Sequence, residues 1–311
     1  MKIDRVAVTG ATSMLGASLI DECITQGIKV LAFVHRNSTN LYRIQKSPLV
    51  KIVGCDLDEM ETFDVGVERC DVMYHFAWGS TDKDIRDLPM PQLNSIKYCI
   101  DAVELAARLG CKKFVGSGSQ AEYGINSELL TPETKVDPIT SYGVAKFSAG
   151  KLCEKLCRIR NMVCIWPRIF SVYGPYMQDK SMLPYALIQF LKKEPANFTA
   201  ATQNWEFLYQ TDAAKMFIAL GENVSESGVY LISSGESKVL KDFIYEIREV
   251  CDNDLECNFD ASKNSGLMTL KSDPSKTFAV TGIKPSISFK EGISKMLDFM
   301  KLRIENGTLK I

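Results

Sequence analysis

The sequence predicts an α/β protein of the doubly wound Rossmann kind, a parallel sheet covered by helices on both faces, joined to a smaller, discontinuous C-terminal domain. Three observations lead there. Apolar runs of strand length alternate with stretches of helical periodicity through residue 170. A glycine-bearing turn, TGATSMLG at 9–16, stands between the first run and the first helix. After a segment of different character, FLYQTDAAKMFIALG (207–221) and GVYLISSG (228–235) supply one more helix and one more strand.

In chain order, IDRVAVT (3–9) reads as a strand, ASLIDECITQG (17–27) as a helix closed by glycine, and KVLAFVH (29–35) as a second strand. Together they make a unit of about 30 residues, the size of one βαβ. VKIVGCDL (50–57) and DVMYHFAW (71–78) are the next strands, followed by a helix over 93–109 stopped at Gly110 and a strand at KKFVGSGS (112–119). A helix over 142–160 leads into NMVCIWPRIF (161–170), with Pro167 expected at the strand's end because proline cannot donate to a central ladder. Residues 171–210 and 235–311 are richer in proline and aromatics. The division predicted is 1–170 with 208–234 for the Rossmann part and 171–207 with 235–311 for the substrate part. The polar ENGTLKI at the C-terminus is expected to fray.

Composition excludes several classes. With 37 basic against 38 acidic residues and no basic block, nucleic acid is not an expected partner. No apolar run approaches the ~18–20 residues of a spanning helix, and the N-terminus enters a strand directly, so no membrane association and a cytoplasmic location are expected. Ten cysteines without a CxxC, and only His35 and His75 beside them, point to reduced core thiols and no metal.

The turn at 9–16 lies where helix N-terminal amides face a pyrophosphate. Gly10 would make the tight turn and Gly16 the close helix–sheet packing, with Thr12, Ser13, Met14 and Leu15 between them. An NAD site usually has an acid at the end of the second strand. Here VLAFVHRNS offers His35, Arg36 and Asn37, and a cation suits the extra phosphate of NADP, so NADP (NADPH) is preferred and NAD possible. In SYGVAKFSAG (141–150), Tyr142 and Lys146 share one helix face. A neighbouring ammonium favours phenolate over the usual ionisation near pH ~10, which suits general acid/base work.

On these motifs the chain resembles an extended short-chain dehydrogenase/reductase of the nucleotide-sugar epimerase and dehydratase group. TGATSMLG is similar to the family's TGxxGxxG, with Ser13 in place of the middle glycine. Asp56 and Leu57 resemble its adenine-side motif, and Phe76, Ala77 and Trp78 of HFAW its strand end beside the cofactor. Asn94 resembles its central helix asparagine. SGSQAEYG, with Ser117 and Ser119, YGVAK, PRIFSVYGP, with Ile169 and Ser171, WEFLYQTDAA and GVYLISSG follow in family order.

The resemblance implies that Tyr142 protonates a carbonyl oxygen as hydride arrives from nicotinamide, that Ser119 hydrogen-bonds that oxygen, and that Lys146 holds the ribose. Gln120 and Ala121 stand where dehydratases carry Asp and Glu, which disfavours dehydration; strand alternation aims Glu122 elsewhere, in a structural role. Ser171 and Trp205 replace a family Asn and Arg, and with Ser119 and Gln120 they are the expected substrate contacts. The expected function is an NADPH-dependent reductase of a 4-keto (deoxy)sugar nucleotide for surface polysaccharide. The alternatives are an NAD(P)-dependent nucleotide-sugar 4-epimerase and a non-catalytic NADP-binding family member. The helices at 93–109 and 142–160 correspond to the pair that pairs subunits in this family, which implies a homodimer.

Overall fold

The computed structural model describes residues 1–82, 84–251, 254–262 and 269–309. In chain order the first half contains β1 (Arg5–Thr9), α1 (Met14–Thr25), β2 (Lys29–Val34), β3 (Val50–Gly54), β4 (Val72–His75) and α2 (Pro89–Arg108). β5 (Lys113–Val115), β6 (Gly118–Ser119), α3 (Ser141–Ile159) and β7 (Val163–Ile169) follow. Then come β8 (Val172–Tyr173), α4 (Met182–Lys192), β9 (Ala196–Thr199), β10 (Asn204–Trp205), β11 (Leu208–Tyr209), α5 (Gln210–Asn223) and β12 (Gly228–Ile232). The chain ends with β13 (Lys238–Val239), α6 (Leu240–Val250), β14 (Cys257–Asp260), α7 (Ser275–Thr281) and α8 (Phe289–Glu305).

The main sheet runs β3-β2-β1-β4-β5-β7-β12, every pair parallel, with β6 continuing beside β7 where β5 has stopped. Strands buried on both faces explain the unbroken apolar runs of the sequence. α1 packs with α5 over one face and α2 with α3 over the other, each against its own apolar cluster. α4, α6 and α8 gather round a further cluster that includes Tyr173, Leu187, Phe190, Tyr209, Ile247 and Met296.

Three details differ from the sequence expectation. Pro167 is the fifth of seven residues in β7, not its end. It is tolerated there because β7 pairs with β5 through Ile165 and with β6 from Arg168 onward, so Trp166 and Pro167 face a gap in that ladder. α2 begins at Pro89, four residues early, because a proline in the first turn gives up no hydrogen bond. In ENGTLKI, the Thr308 and Leu309 amides donate to the Arg303 carbonyl (2.8 and 2.9 Å), and Leu309 packs on the α4, α6, α8 cluster; Lys310 and Ile311 lie outside the described residues. Among the described residues no helix is long and apolar enough to cross a membrane.

Candidate functional site

β1 and β4 are neighbours, yet their crossovers leave in opposite directions, toward β2 and toward β5. Ligands of open parallel sheets sit at the carboxyl ends of such a pair. There the chain turns at Gly10, whose φ is +66° and where a Cβ would stand 2.7 Å from the Ala77 nitrogen. A Cβ at Gly16 would lie 2.3 Å from the Gly10 carbonyl oxygen, so both glycines are required by the close approach of α1 to the β1 and β4 ends.

Ser13 is the N-cap of α1: its Oγ accepts from the Gly16 N–H at 3.0 Å. That accounts for a serine at the middle-glycine position. The amides of Met14 and Leu15 are given no acceptor by the described residues. Two unspent N–H groups at a helix N-terminus fit a pyrophosphate.

In front of them lies a cavity of about 390 Å³. Of the residues expected at the cofactor, Ser13, Met14, Leu15, Phe76, Trp78, Ser117, Tyr142, Lys146 and Ile169 line it, as do Ser119 and Gln120 from the substrate set. A second cavity of about 890 Å³ adjoins it, sharing Thr81, Arg86, Gln120 and Tyr142 and reaching Lys180 and Trp205.

α3 delivers Tyr142 and Lys146 to the join. Its first turn is tied down by Thr140 Oγ1, which accepts from the Gly143 N–H (3.0 Å), and by Asp87 Oδ1, which accepts from the Ser141 N–H (2.6 Å). Lys146 is buried and donates to the Ser117 carbonyl (2.7 Å) and hydroxyl (3.1 Å). Its Nζ lies 3.6 Å from the Trp78 ring centroid and 5.6 Å from that of Tyr142. The Arg86 guanidinium sits nearer, 3.9 Å from the Tyr142 centroid. Trp78 meets Tyr142 edge to face and donates its indole N–H to Gln92 (2.9 Å).

Ser119 ends β6, and its hydroxyl donates to Gln120 Oε1 (2.6 Å). Glu122 turns away beneath the site into an ion pair with Arg168, the structural role expected of it, but it sits in the 3-10 turn Gln120–Tyr123 after β6 and not on a strand, so its direction comes from that turn and not from strand alternation. The other nearby phenol, Tyr123, donates to the Thr131 carbonyl (2.6 Å), and burial pushes its pKa up to about 12 against the pull of Arg168.

The remaining expected residues are dispersed. His35, Arg36 and Asn37 follow β2, and Asp56 and Leu57 follow β3, all at the same end of the sheet. Thr12 accepts from Ser38 and Arg43 at the glycine turn. Ala77 donates its N–H to Thr9 Oγ1 (3.4 Å). Ser171 lines neither cavity, and its carbonyl accepts from Leu208.

Asn94 is a correction. It is exposed on α2, while Gln92, Ser95 and Cys99 are the positions turned inward. The helix starts earlier than expected, and its phase puts Asn94 off the facing stripe. Sequence reasoning also passed over Arg86; its signal was a lone arginine among acids in the loop leaving β4, the strand beside the switch point.

Next to Trp205, Glu206 is fully buried. One carboxylate oxygen accepts from Ser234 Oγ (3.2 Å), the Gly235 N–H (3.0 Å) and Ser272 Oγ (2.9 Å); the other has no partner among the described residues. Burial raises its pKa above the usual carboxyl value, with those hydrogen bonds pulling the other way. Relative to the unfolded chain, folding thus favours proton binding at this carboxyl. Stability from this group is full below the unfolded value near ~4.3 and is lost as pH rises through the higher folded value. Glu206→Gln cannot ionise and is expected to gain in melting temperature relative to the native chain as pH rises from about 4 toward neutrality. Thermal unfolding across that range checks this; a pH-independent difference would refute it.

The sheet, its switch-point turn and the crevice define the class, an NAD(P)-linked enzyme of extended short-chain dehydrogenase/reductase build. The chain belongs to the NAD dependent epimerase/dehydratase family, whose profile matches residues 6–233. It is 26% identical to UDP-glucuronic acid decarboxylase 1 of Arabidopsis thaliana, over 97% of this chain and 71% of that protein. The fold is shared with UDP-N-acetylglucosamine 4-epimerase from Methanobrevibacter ruminantium M1 (TM-score 0.86, 20% identity, 97% of this chain and 100% of that one). It is shared also with UDP-glucuronic acid 4-epimerase from Bacillus cereus in complex with UDP-glucuronic acid and NAD (TM-score 0.82, 21%, 96% and 99%). A third match is RMD from Pseudomonas aeruginosa complexed with NADPH (TM-score 0.80, 18%, 96% and 99%).

Proposed function

We propose that this chain is an NAD(P)-dependent nucleotide-sugar 4-epimerase. The observation that carries the reading is the presentation of Tyr142 and Lys146 from one face of α3 at the join of two cavities, one running to the glycine turn and the other wide enough for a sugar nucleotide. Relatives and structural neighbours named as UDP-sugar epimerases and decarboxylases support the substrate class.

Held in the cavity in front of the glycine turn, a nicotinamide cofactor would supply reversible hydride chemistry at the sugar C4, with removal from one face of that carbon and return to the other. Tyr142 accepts the C4 hydroxyl proton in the first half and gives it back in the second. Ser119 donates to the C4 oxygen, and the Lys146 charge stabilises the phenolate. Lys146 reaches a ribose hydroxyl once the Trp78 ring, which covers its Nζ, turns aside. The Met14 and Leu15 amides hold the pyrophosphate, and Phe76 and Ile169 wall the ring. Trp205 and Lys180 face the nucleotide, in the part formed by 171–207 with 235–311.

The reductase expectation rested on Arg36 and a preference for NADPH. Neighbours are known with NAD as well as with NADPH, and several are named as 4-epimerases, so the weight moves to the epimerase. A second reading, decarboxylation of a uronic acid, is favoured by Arg86, whose guanidinium has no hydrogen-bond partner among the described residues and stands over Tyr142 where a sugar carboxylate would lie.

The test offers UDP-glucose, UDP-galactose, UDP-N-acetylglucosamine and UDP-glucuronic acid with either cofactor and reads products by NMR. Interconversion of 4-epimers without net change in reduced nicotinamide is expected. Stoichiometric NADPH oxidation with a 4-keto sugar would reinstate the reductase, carbon dioxide release would establish the decarboxylase, and no conversion would overturn all three. The reading includes a homodimer through α2 and α3, where Met90, Leu93, Val144, Leu152 and Ile159 are exposed; sedimentation as a monomer at micromolar concentration would overturn that part.

A further inference from the structure

The sequence shows no acid at the end of β2, where an NAD site usually keeps the acceptor for its ribose hydroxyls. The fold brings one there from elsewhere. After β3, Asp56 and Glu59 bracket a single helical turn, with the Glu59 carboxylate accepting from the Asp56 N–H (2.9 Å). Asp56 Oδ1 accepts from the Arg36 N–H (3.0 Å) and lies 3.6 Å from His35 Nε2. The β3 turn is thereby clamped against the residues that follow β2.

Glu59 meets Arg36 in an unusual way. Both of its oxygens accept from the guanidinium Nε (2.9 and 3.1 Å), and neither Nη has an acceptor among the described residues. The outer edge of the fork, with the geometry to grip a phosphate in bidentate fashion, is unspent. Both side chains are substantially exposed, so the pair itself adds little stability and is open to an arriving ligand. Across the crevice Arg43 donates to the Thr12 carbonyl (3.3 Å) at the glycine turn, bringing a second cation to this corner.

We propose that Glu59 is the residue that sets the choice between NAD and NADP. Its carboxylate is the acceptor for the adenosine ribose hydroxyls of NAD. It also holds Arg36 by Nε, leaving the Nη edge for the 2′-phosphate of NADP, and its own negative charge opposes that phosphate. The corner is therefore built to accept both cofactors, and the balance lies with one acid contributed from the turn after β3. This rests on the reading of the cavity as a pyridine-nucleotide site.

Glu59→Gln keeps an oxygen to accept from Asp56 and removes the charge. Removing one unit charge about 4 Å from a phosphate, at the near-bulk-water dielectric that suits side chains as exposed as these, corresponds to roughly five- to tenfold in affinity. Equilibrium binding of NAD and NADP by calorimetry, without substrate, is the readout. For Glu59→Gln the ratio of NADP to NAD affinity is expected to rise about five- to tenfold. For Arg36→Met, which keeps the stem and loses the fork, the ratio is expected to fall. An unchanged or lowered ratio in Glu59→Gln overturns the proposal, and should that variant fail to fold, an unchanged ratio in Arg36→Met does so. Failure of the native chain to bind either cofactor would instead overturn the reading of the site itself.

Discussion

Tyr142→Phe is expected to lower turnover by about 10²–10⁴-fold, the usual worth of a positioned acid/base group, while cofactor affinity and melting temperature stay close to those of the native chain. The ring is held by contacts that phenylalanine preserves: the edge-to-face meeting with Trp78 and the Arg86 guanidinium over its face. No protein group hydrogen-bonds the Tyr142 hydroxyl among the described residues, so removing it breaks no internal bond. The change therefore isolates chemistry from packing. Steady-state turnover with the best UDP-sugar, beside calorimetric cofactor binding, measures the two separately. A variant retaining activity within a few-fold of the native chain would remove Tyr142 from the reaction.

The features the sequence disclosed most clearly are local ones. Strands β1, β2 and β4 are legible because a strand buried on both faces must be apolar throughout, and the helix ends at Gly27 and Gly110 because both adopt positive φ. Tyr142 and Lys146 are legible because four residues make about one turn of a helix. What escaped depends on contacts between distant segments. Asn94 fails since the phase of α2 follows from packing on the sheet, which selects Gln92, Ser95 and Cys99. Glu59 was invisible as a partner for Arg36 because the pairing of β2 with β3, 20 residues downstream in register, is what brings the two turns together. Trp78 was placed at the cofactor by motif alone; its position over Lys146 goes with the bond its indole N–H makes to Gln92 of α2, a contact between distant segments.

Glu122→Ala is expected to be the most damaging single change to the fold, costing about 3–5 kcal/mol, because it strands a buried guanidinium. Glu122 and Arg168 are both almost wholly inaccessible and joined at 2.8 Å. Arg168 is otherwise supported by the Pro132 carbonyl (3.2 Å) and the face of Tyr123, neither of which carries a compensating charge. The same carboxylate accepts from the Trp166 indole N–H (3.0 Å) and the Ser119 N–H (2.9 Å). Trp166 in turn fills a slot that exists only because Gly116, Gly118 and Gly150 lack side chains: a Cβ on any of them would come within 2.3–2.7 Å of the indole. One acid thus fixes the indole beneath the site and the backbone of Ser119 beside the expected sugar C4. Glu122→Gln keeps acceptors for the two N–H groups and loses the charge, so it should fall between native and alanine. Denaturant unfolding of the three proteins checks the order, and a loss below about 1 kcal/mol in Glu122→Ala would show that water or rearrangement satisfies Arg168. In the surviving folded fraction, turnover should also fall with cofactor affinity retained, since the displaced residue is Ser119 and not the glycine turn.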